Sequence, residues 1–164
     1  MADALAATAD SKQTAALLNS YLADAFRHAQ KLIKTPADSP VLDVVMGNEA
    51  ADLDSIVCAV ALAYLLHSLE GTFFVPLINV PRDQLPLRGE LERVLRDLGG
   101  VDLTHVLCVD EVPLDKLHAS GRLRVSLVDH NRLAGSQTFL AGCLYHLVDH
   151  HVDAVVAARL GRDA

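Results

Sequence analysis

The sequence has no Trp, and only 4% of its 164 residues are aromatic. Surfaces that bind single-stranded nucleic acid by stacking bases need such rings, so that class has no support here. Basic residues are also short: 14 Lys and Arg face 21 Asp and Glu, for a formal charge of −7. That balance opposes broad electrostatic binding to polynucleotides or anionic membranes. A phosphate-bearing substrate stays open if metal ions supply positive charge locally. Cysteine is sparse and unpaired. Cys58, Cys108 and Cys143 each sit in an apolar run and read as buried free thiols of a reducing compartment. The longest apolar run, Ile56 to Leu66, falls well short of the ~20 residues that span a bilayer. The first residues, MADALAATADSK, carry acids and no basic lead, unlike a secretory signal. The expectation is a soluble cytoplasmic protein whose partners include no membrane and no nucleic-acid polymer.

What is present is apolar: 51% hydrophobic against 21% charged residues, enough for one core in one domain. Residues 1–10 are Ala-rich and expected to fray. From Ser11 to about Ile33, apolar residues recur at helical spacing on one side, among them Leu18, Tyr21, Leu22, Ala25, Ala29 and Leu32. TPADSP (35–40), with two prolines, reads as a linker. Residues 1–40 thus form an N-terminal helix and linker, and 41–164 the main domain. Strands are expected at Val41–Met46, Thr72–Val80, Thr104–Val109, Leu123–Val128 and Leu144–Val148. Helices are expected at Leu53 to about Leu69, Glu90–Leu98 and Leu114–Ala119. The strands are continuous apolar runs that alternate with helices, which predicts an α/β fold with a mostly parallel sheet covered on both sides.

The chemistry-bearing residues collect where these strands end. Residues 41–46 run into GNEAADLDS (47–55), 104–109 into Asp110 and Glu111, 123–128 into Asp129, His130 and Asn131, and 144–148 into Asp149, His150 and His151. In open α/β sheets, ligands bind in the crevice beyond those ends. Carboxylates and imidazoles without thiolates suit Mn²⁺, Mg²⁺, Co²⁺ or Zn²⁺. Asp52 and Asp54 could address different ions, with a third carboxylate such as Asp129 bridging them. Two ions about 3.5–4 Å apart can clamp a phosphoryl group for in-line attack. Each motif alone has a plainer reading. Two acids opening a helix commonly cap it, Asp-His-Asn after a strand is commonly a turn, and a doubled His can lie at the surface.

Together, GNEAADLDS (47–55), VDHN (128–131) and VDHH (148–151) resemble the three N-terminal motifs of the DHH phosphoesterase family. VPLINVPRDQLPLRGELERVL (75–95), VDEVPL (109–114) and GRLRVSLVDHN (121–131) resemble its exopolyphosphatase and prune-like branch, which is related to the family II inorganic pyrophosphatases. The likeness covers roughly residues 41–153. It implies a parallel α/β domain with two metal ions, Mn²⁺ or Mg²⁺, that hydrolyses phosphoanhydride bonds. By motif position, Asp52 and Asp54 correspond to the first-motif ligands, one for each ion, Asp129 to the bridging carboxylate and His150 to a ligand of the second ion. His151 corresponds to the group that contacts substrate phosphate, and Asp129 and His151 are the catalytic pair. Asn48 stands where the related pyrophosphatases carry a metal-binding His, and it is assigned with Arg82 and Arg88 to the phosphate chain. Asp149 is expected to support the histidines, and His130 to be structural.

The family also has a fourth motif, an Asp beyond the histidine pair, and a second C-terminal domain. This sequence ends 13 residues after His151, and Asp163 is in the wrong context to be that ligand. The expectation is therefore a truncated domain with an incomplete second metal site, low hydrolytic activity on inorganic polyphosphate or pyrophosphate, and an open sheet edge that can pair in a homo-oligomer. Two alternatives stand beside it: a non-catalytic binding module, and a phosphodiesterase acting on small nucleotides.

Overall fold

A computed structural model describes residues 2–35 and 39–150. Five strands form one sheet: β1 (Leu42–Met46), β2 (Phe74–Ile78), β3 (Leu107–Cys108), β4 (Leu123–Val128) and β5 (Leu144–Val148). Their order is β3-β2-β1-β4-β5, and every neighbouring pair is parallel. The expected α/β class with a parallel sheet is the one observed. The chain builds outward from β1 to β2 and β3, then returns to lay β4 against the other side of β1. The order therefore reverses between β1 and β4, the kind of position where open α/β sheets bind ligands.

All residues of β1 and β2 are buried, which explains why these strands read as mostly apolar runs. The one charge in β1, Asp43, is 4% exposed. It accepts two hydrogen bonds from Arg124, its register partner on β4, so the buried carboxylate is paired rather than orphaned. β5 lies at an edge and leaves Leu144, Tyr145, Leu147 and Val148 exposed.

The long helix α1 (Ala2–Lys34) begins earlier than expected, so residues 2–10 are helical rather than frayed. Its Tyr21, Leu22, Ala25, Ala29 and Leu32 belong to the same core as the sheet. Arg122, 6% exposed, fastens the end of α1 to the start of β1. Its guanidinium donates to the carbonyls of Leu32 (2.9 Å), Thr35 (3.2 Å) and Ser39 (3.1 Å), while its own carbonyl accepts from Leu42 N at 2.9 Å. Of the expected linker, residues 36–38 lie outside the described residues.

Helix α2 (Leu53–Glu70) follows β1 and ends at Gly71, whose φ of 69° suits glycine. By length and composition alone α2 is apolar enough to cross a membrane, although its apolar run read as too short. In this fold Ile56, Ala59, Val60, Ala63 and Leu66 are buried and join the core shared with the sheet. Cys58 falls between those positions and is exposed, which corrects its assignment as a buried thiol. Cys108 is buried, and burial pushes its thiol up to about 12. Cys143 is partly buried.

Other boundaries also moved. The strand expected at 104–109 contracts to Leu107–Cys108. Asp102 accepts from Thr104 N at 3.0 Å and starts a 3-10 turn over Leu103–His105 instead. The pairing then begins at Leu77, just past Pro76, which has no N–H for a ladder. The helix expected at 90–98 is a short α3 (Gly89–Leu91) that widens into a π-helix over Glu92–Leu98. There Gly99 N reaches back to Val94 O, and a Cβ at Gly99 would lie 2.8 Å from the Leu95 carbonyl. Helix α4 (Leu114–Ala119) matches its expected span. The 3-10 turns at Arg82–Leu87 and Gly135–Cys143 carry no hydrophobic period that would announce them.

Replacing Arg122 with Met would strand three carbonyls. The expected loss of unfolding free energy is about 2 kcal/mol or more, read from urea denaturation. An unchanged urea midpoint would show that the clasp between α1 and β1 is dispensable.

Candidate metal centre at the strand ends

Three loops meet beyond β1, β4 and β5. The first begins at Gly47. A Cβ there would lie 2.2 Å from Ser55 Oγ and 2.9 Å from the Ser55 carbonyl, so only glycine lets α2 start so close to β1. Ser55 is fully buried, and its Oγ accepts from Asn48 N at 2.7 Å. The Asn48 side chain then works in two directions. Its Oδ1 accepts from Ala51 N at 3.1 Å, closing the turn. Its Nδ2 donates to Asp129 Oδ2 at 2.8 Å and lies 3.5 Å from Asp52 Oδ1. Asp52 occupies the N-cap position of α2, but its side chain makes no cap hydrogen bond. The plain reading of Asp52 as a helix cap therefore fails, and its carboxylate stays with the site.

Asp129 is the hub. It is 6% exposed, and its N–H donates to Val148 O at 3.0 Å, tying the end of β4 to the end of β5. Its φ is 62°, and that of Ala51 is 46°; among the described residues these are the non-glycine residues at positive φ. Both lie in the loops that build the site. Such conformations cost about 1–2 kcal/mol each and persist where their surroundings impose them.

The carboxylates and imidazole gather in two groups that share this hub. Asp52, Asp54 and Asp129 each offer an oxygen within 4.8 Å of the others, so the two first-motif acids, expected to serve one ion each, fall in the same group. Asp129, Asp149 and His150 do the same, with His150 Nδ1 3.5 Å from Asp129 Oδ1. Asp52, Asp54, Asp129 and His150 are thus brought together. Asp149, expected only to support the histidines, joins the second group as a potential donor. His151 lies outside the described residues. His130 bonds the Val128 carbonyl through Nδ1 at 3.0 Å. The donor set is all carboxylate oxygen and imidazole nitrogen, which fits hard to borderline divalent cations, and Asp129 can serve both groups.

The arginines assigned to the phosphate chain are held differently. Arg82 makes a two-pronged contact with Glu111, at 3.0 and 2.6 Å, and donates to Val106 O. Asp110 accepts from Arg82 N at 3.0 Å. Burial pushes the Glu111 carboxyl up, but hydrogen bonds from Arg82 and Cys108 N outweigh it and hold it below its ordinary value. Arg88 donates to the Ala50 carbonyl at 3.1 and 2.7 Å, inside the first loop, and to Gln84 O at 3.0 Å. Two buried amides, Asn79 and Gln137, also meet beside Gly47. Sequence reasoning passed over both, because neither residue type is diagnostic alone.

No family model matches the chain. Among curated proteins, it is 41% identical over 115 residues to the human (Homo sapiens) protein named Exopolyphosphatase PRUNE1, covering 69% of this chain. It is 35% identical over 122 residues to a Schizosaccharomyces pombe protein also named as an exopolyphosphatase, covering 73% of this chain. It is 27% identical over 107 residues, 64% of this chain, to the mouse (Mus musculus) protein prune homolog 2. The chain belongs to the prune-like branch of the DHH phosphoesterase family. It spans a quarter of the length of human PRUNE1, 31% of the S. pombe relative and 3% of prune homolog 2.

Two outcomes follow. Gly47→Ala forces Ser55 away and is expected to cost about 1–3 kcal/mol, measured by urea denaturation; full stability would mean that the close approach is slack. Because Glu111 is depressed, the stability it contributes is present above its unfolded pKa and lost as pH falls through the folded value. Between pH 6 and 3, wild-type protein should lose urea stability more steeply than Glu111→Gln. Parallel acid limbs would show that Glu111 is uncoupled from folding.

Proposed function

We propose that the strand-end cleft is the centre of a metal-dependent phosphoanhydride hydrolase of the exopolyphosphatase type, acting on inorganic polyphosphate or pyrophosphate. The observation that carries this reading is Asp129, a buried carboxylate shared by two groups of cation donors. Asp52, Asp54 and Asp129 would hold one divalent cation, Mn²⁺ or Mg²⁺, and Asp129, Asp149 and His150 a second. Bound there, divalent cations neutralise phosphoryl oxygens and increase the acidity of water. The chain's own residues supply the rest. The Asn48 amide fixes the rotation of Asp129, so that the hub need not reorganise when charge arrives. Arg88 holds the Ala50 carbonyl and with it the first loop, and its guanidinium is assigned to the phosphate chain from its place in the sequence. Arg82 is committed to Glu111, so its part is to tie the turn after β2 to the segment around β3 rather than to lead in binding phosphate. His151 is assigned the contact to substrate phosphate from its place after His150.

The names of the relatives support this reaction class, and the donor chemistry supports the metal dependence. The test is phosphate release by the full chain from polyphosphate and pyrophosphate, with Mn²⁺ or Mg²⁺ added. The expected result is release that chelator stops and that Asp129→Asn lowers by a hundredfold or more, in line with removing a shared metal ligand. Release that persists in excess chelator, or an Asp129→Asn variant as active as wild type, would contradict the proposal. Metal binding without turnover would instead favour a non-catalytic module on the same fold.

A further inference from the structure

We propose that Gln137 and Asn79 are positioning residues for the strand-end site, setting Asn48 against Asp129 through the carbonyl of Gly47. Asn79 stands just past β2, and Gln137 in the turn between β4 and β5. Both are buried, and their amides face each other. Gln137 Nε2 donates to Asn79 Oδ1 at 2.6 Å, and Asn79 Nδ2 lies 3.4 Å from Gln137 Oε1. Asn79 Nδ2 also donates to Gly47 O at 3.0 Å.

The direction of this chain is forced. The Gly47 carbonyl can only accept, so the nitrogen of Asn79 must face it and the Asn79 oxygen is left for Gln137. The orientation of one amide thereby dictates that of the other. Gly47 itself has no slack, since α2 closes on it from the Ser55 side. The next residue is Asn48, whose side chain meets Asp129 Oδ2 at 2.8 Å. Gln137 belongs to the segment that begins at Asp129, so the path is a closed loop of contacts. Asp129 leads by its own chain to Gln137, then across to Asn79, to Gly47, to Asn48 and back to Asp129. Buried polar networks of this kind fix one geometry when every member is satisfied.

The metal arm of this inference rests on the metal-centre reading, but its first test does not. In the metal-free full chain, Gln137→Met keeps the length and removes both amide bonds. Hydrogen exchange at the Asn48 and Ala51 amides should quicken by about tenfold or more, while the amides of Val44 and Val125 in β1 and β4 stay protected. In Mn²⁺ titrations followed by electron paramagnetic resonance, Gln137→Met should weaken binding by about tenfold. Asn48→Ala should do the same, and the double variant should be no weaker than Asn48→Ala alone.

Unchanged exchange at Asn48 and Ala51 would overturn the proposal. So would protection lost equally across the strands, which marks general destabilisation, or losses that add in the double variant. A wild-type chain that binds no Mn²⁺ would defeat the metal-centre reading and leave the exchange result to decide this one. Should Gln137→Met not fold, Gln137→Glu keeps the acceptor, loses the donor to Asn79, and is judged by the same measurements.

Discussion

The parallel pairing of β1 with β4 governs this molecule. From Leu42 opposite Leu123 to Met46 opposite Leu127, the two strands run side by side in one direction. Their exits therefore lie next to each other at the same end of the sheet. GNEAADLDS follows one strand and Asp129 the other, so 81 residues of separation between Asn48 and Asp129 collapse to a single hydrogen bond. β5, paired in parallel on the far side of β4, delivers Asp149 and His150 to the same place. An antiparallel arrangement of any of these strands would send one set of donors to the opposite end.

Strand direction brings the loops together, and a second layer of constraint aims the side chains. A Gly that fits against Ser55, two non-glycine residues at positive φ, and an N-cap Asp that caps nothing are each unfavourable or wasteful as pure structure. They become consistent if carboxylates must be gathered on one point. Gathering like charges costs energy that a divalent cation would offset, and the surrounding hydrogen bonds hold the donors in place beforehand. The chain thus separates its labour. The sheet and α1 supply stability through an apolar core and the Arg122 clasp, and the loops spend some of that stability on geometry.

The strands β1, β2, β4 and β5 were legible because they are short, mostly apolar runs bounded by Gly, Asp or Pro. β3 was overdrawn because the side chain of Asp102 competes for a backbone N–H, a local contest that hydrophobic pattern does not register. In the site, Asp52, Asp54, Asp129 and His150 were legible as ordered motifs after strands. The partnership of Arg82 with Glu111 was not, and neither were the roles of Arg122, Asn79 and Gln137. Their partners lie 29 to 90 residues away, at distances where residue type alone gives no pairing. Cys58 was misjudged for a related reason: an all-apolar helix does not reveal which of its faces meets the sheet.

The central claim is that Asp129 stands between two cation positions. Its most direct test is an anomalous difference map from crystals of the full chain grown with Mn²⁺. The account predicts two peaks flanking Asp129, one beside Asp52 and Asp54 and the other beside Asp149 and His150. A map with no manganese at the ends of β1, β4 and β5, from crystals in which those loops are ordered, would contradict it.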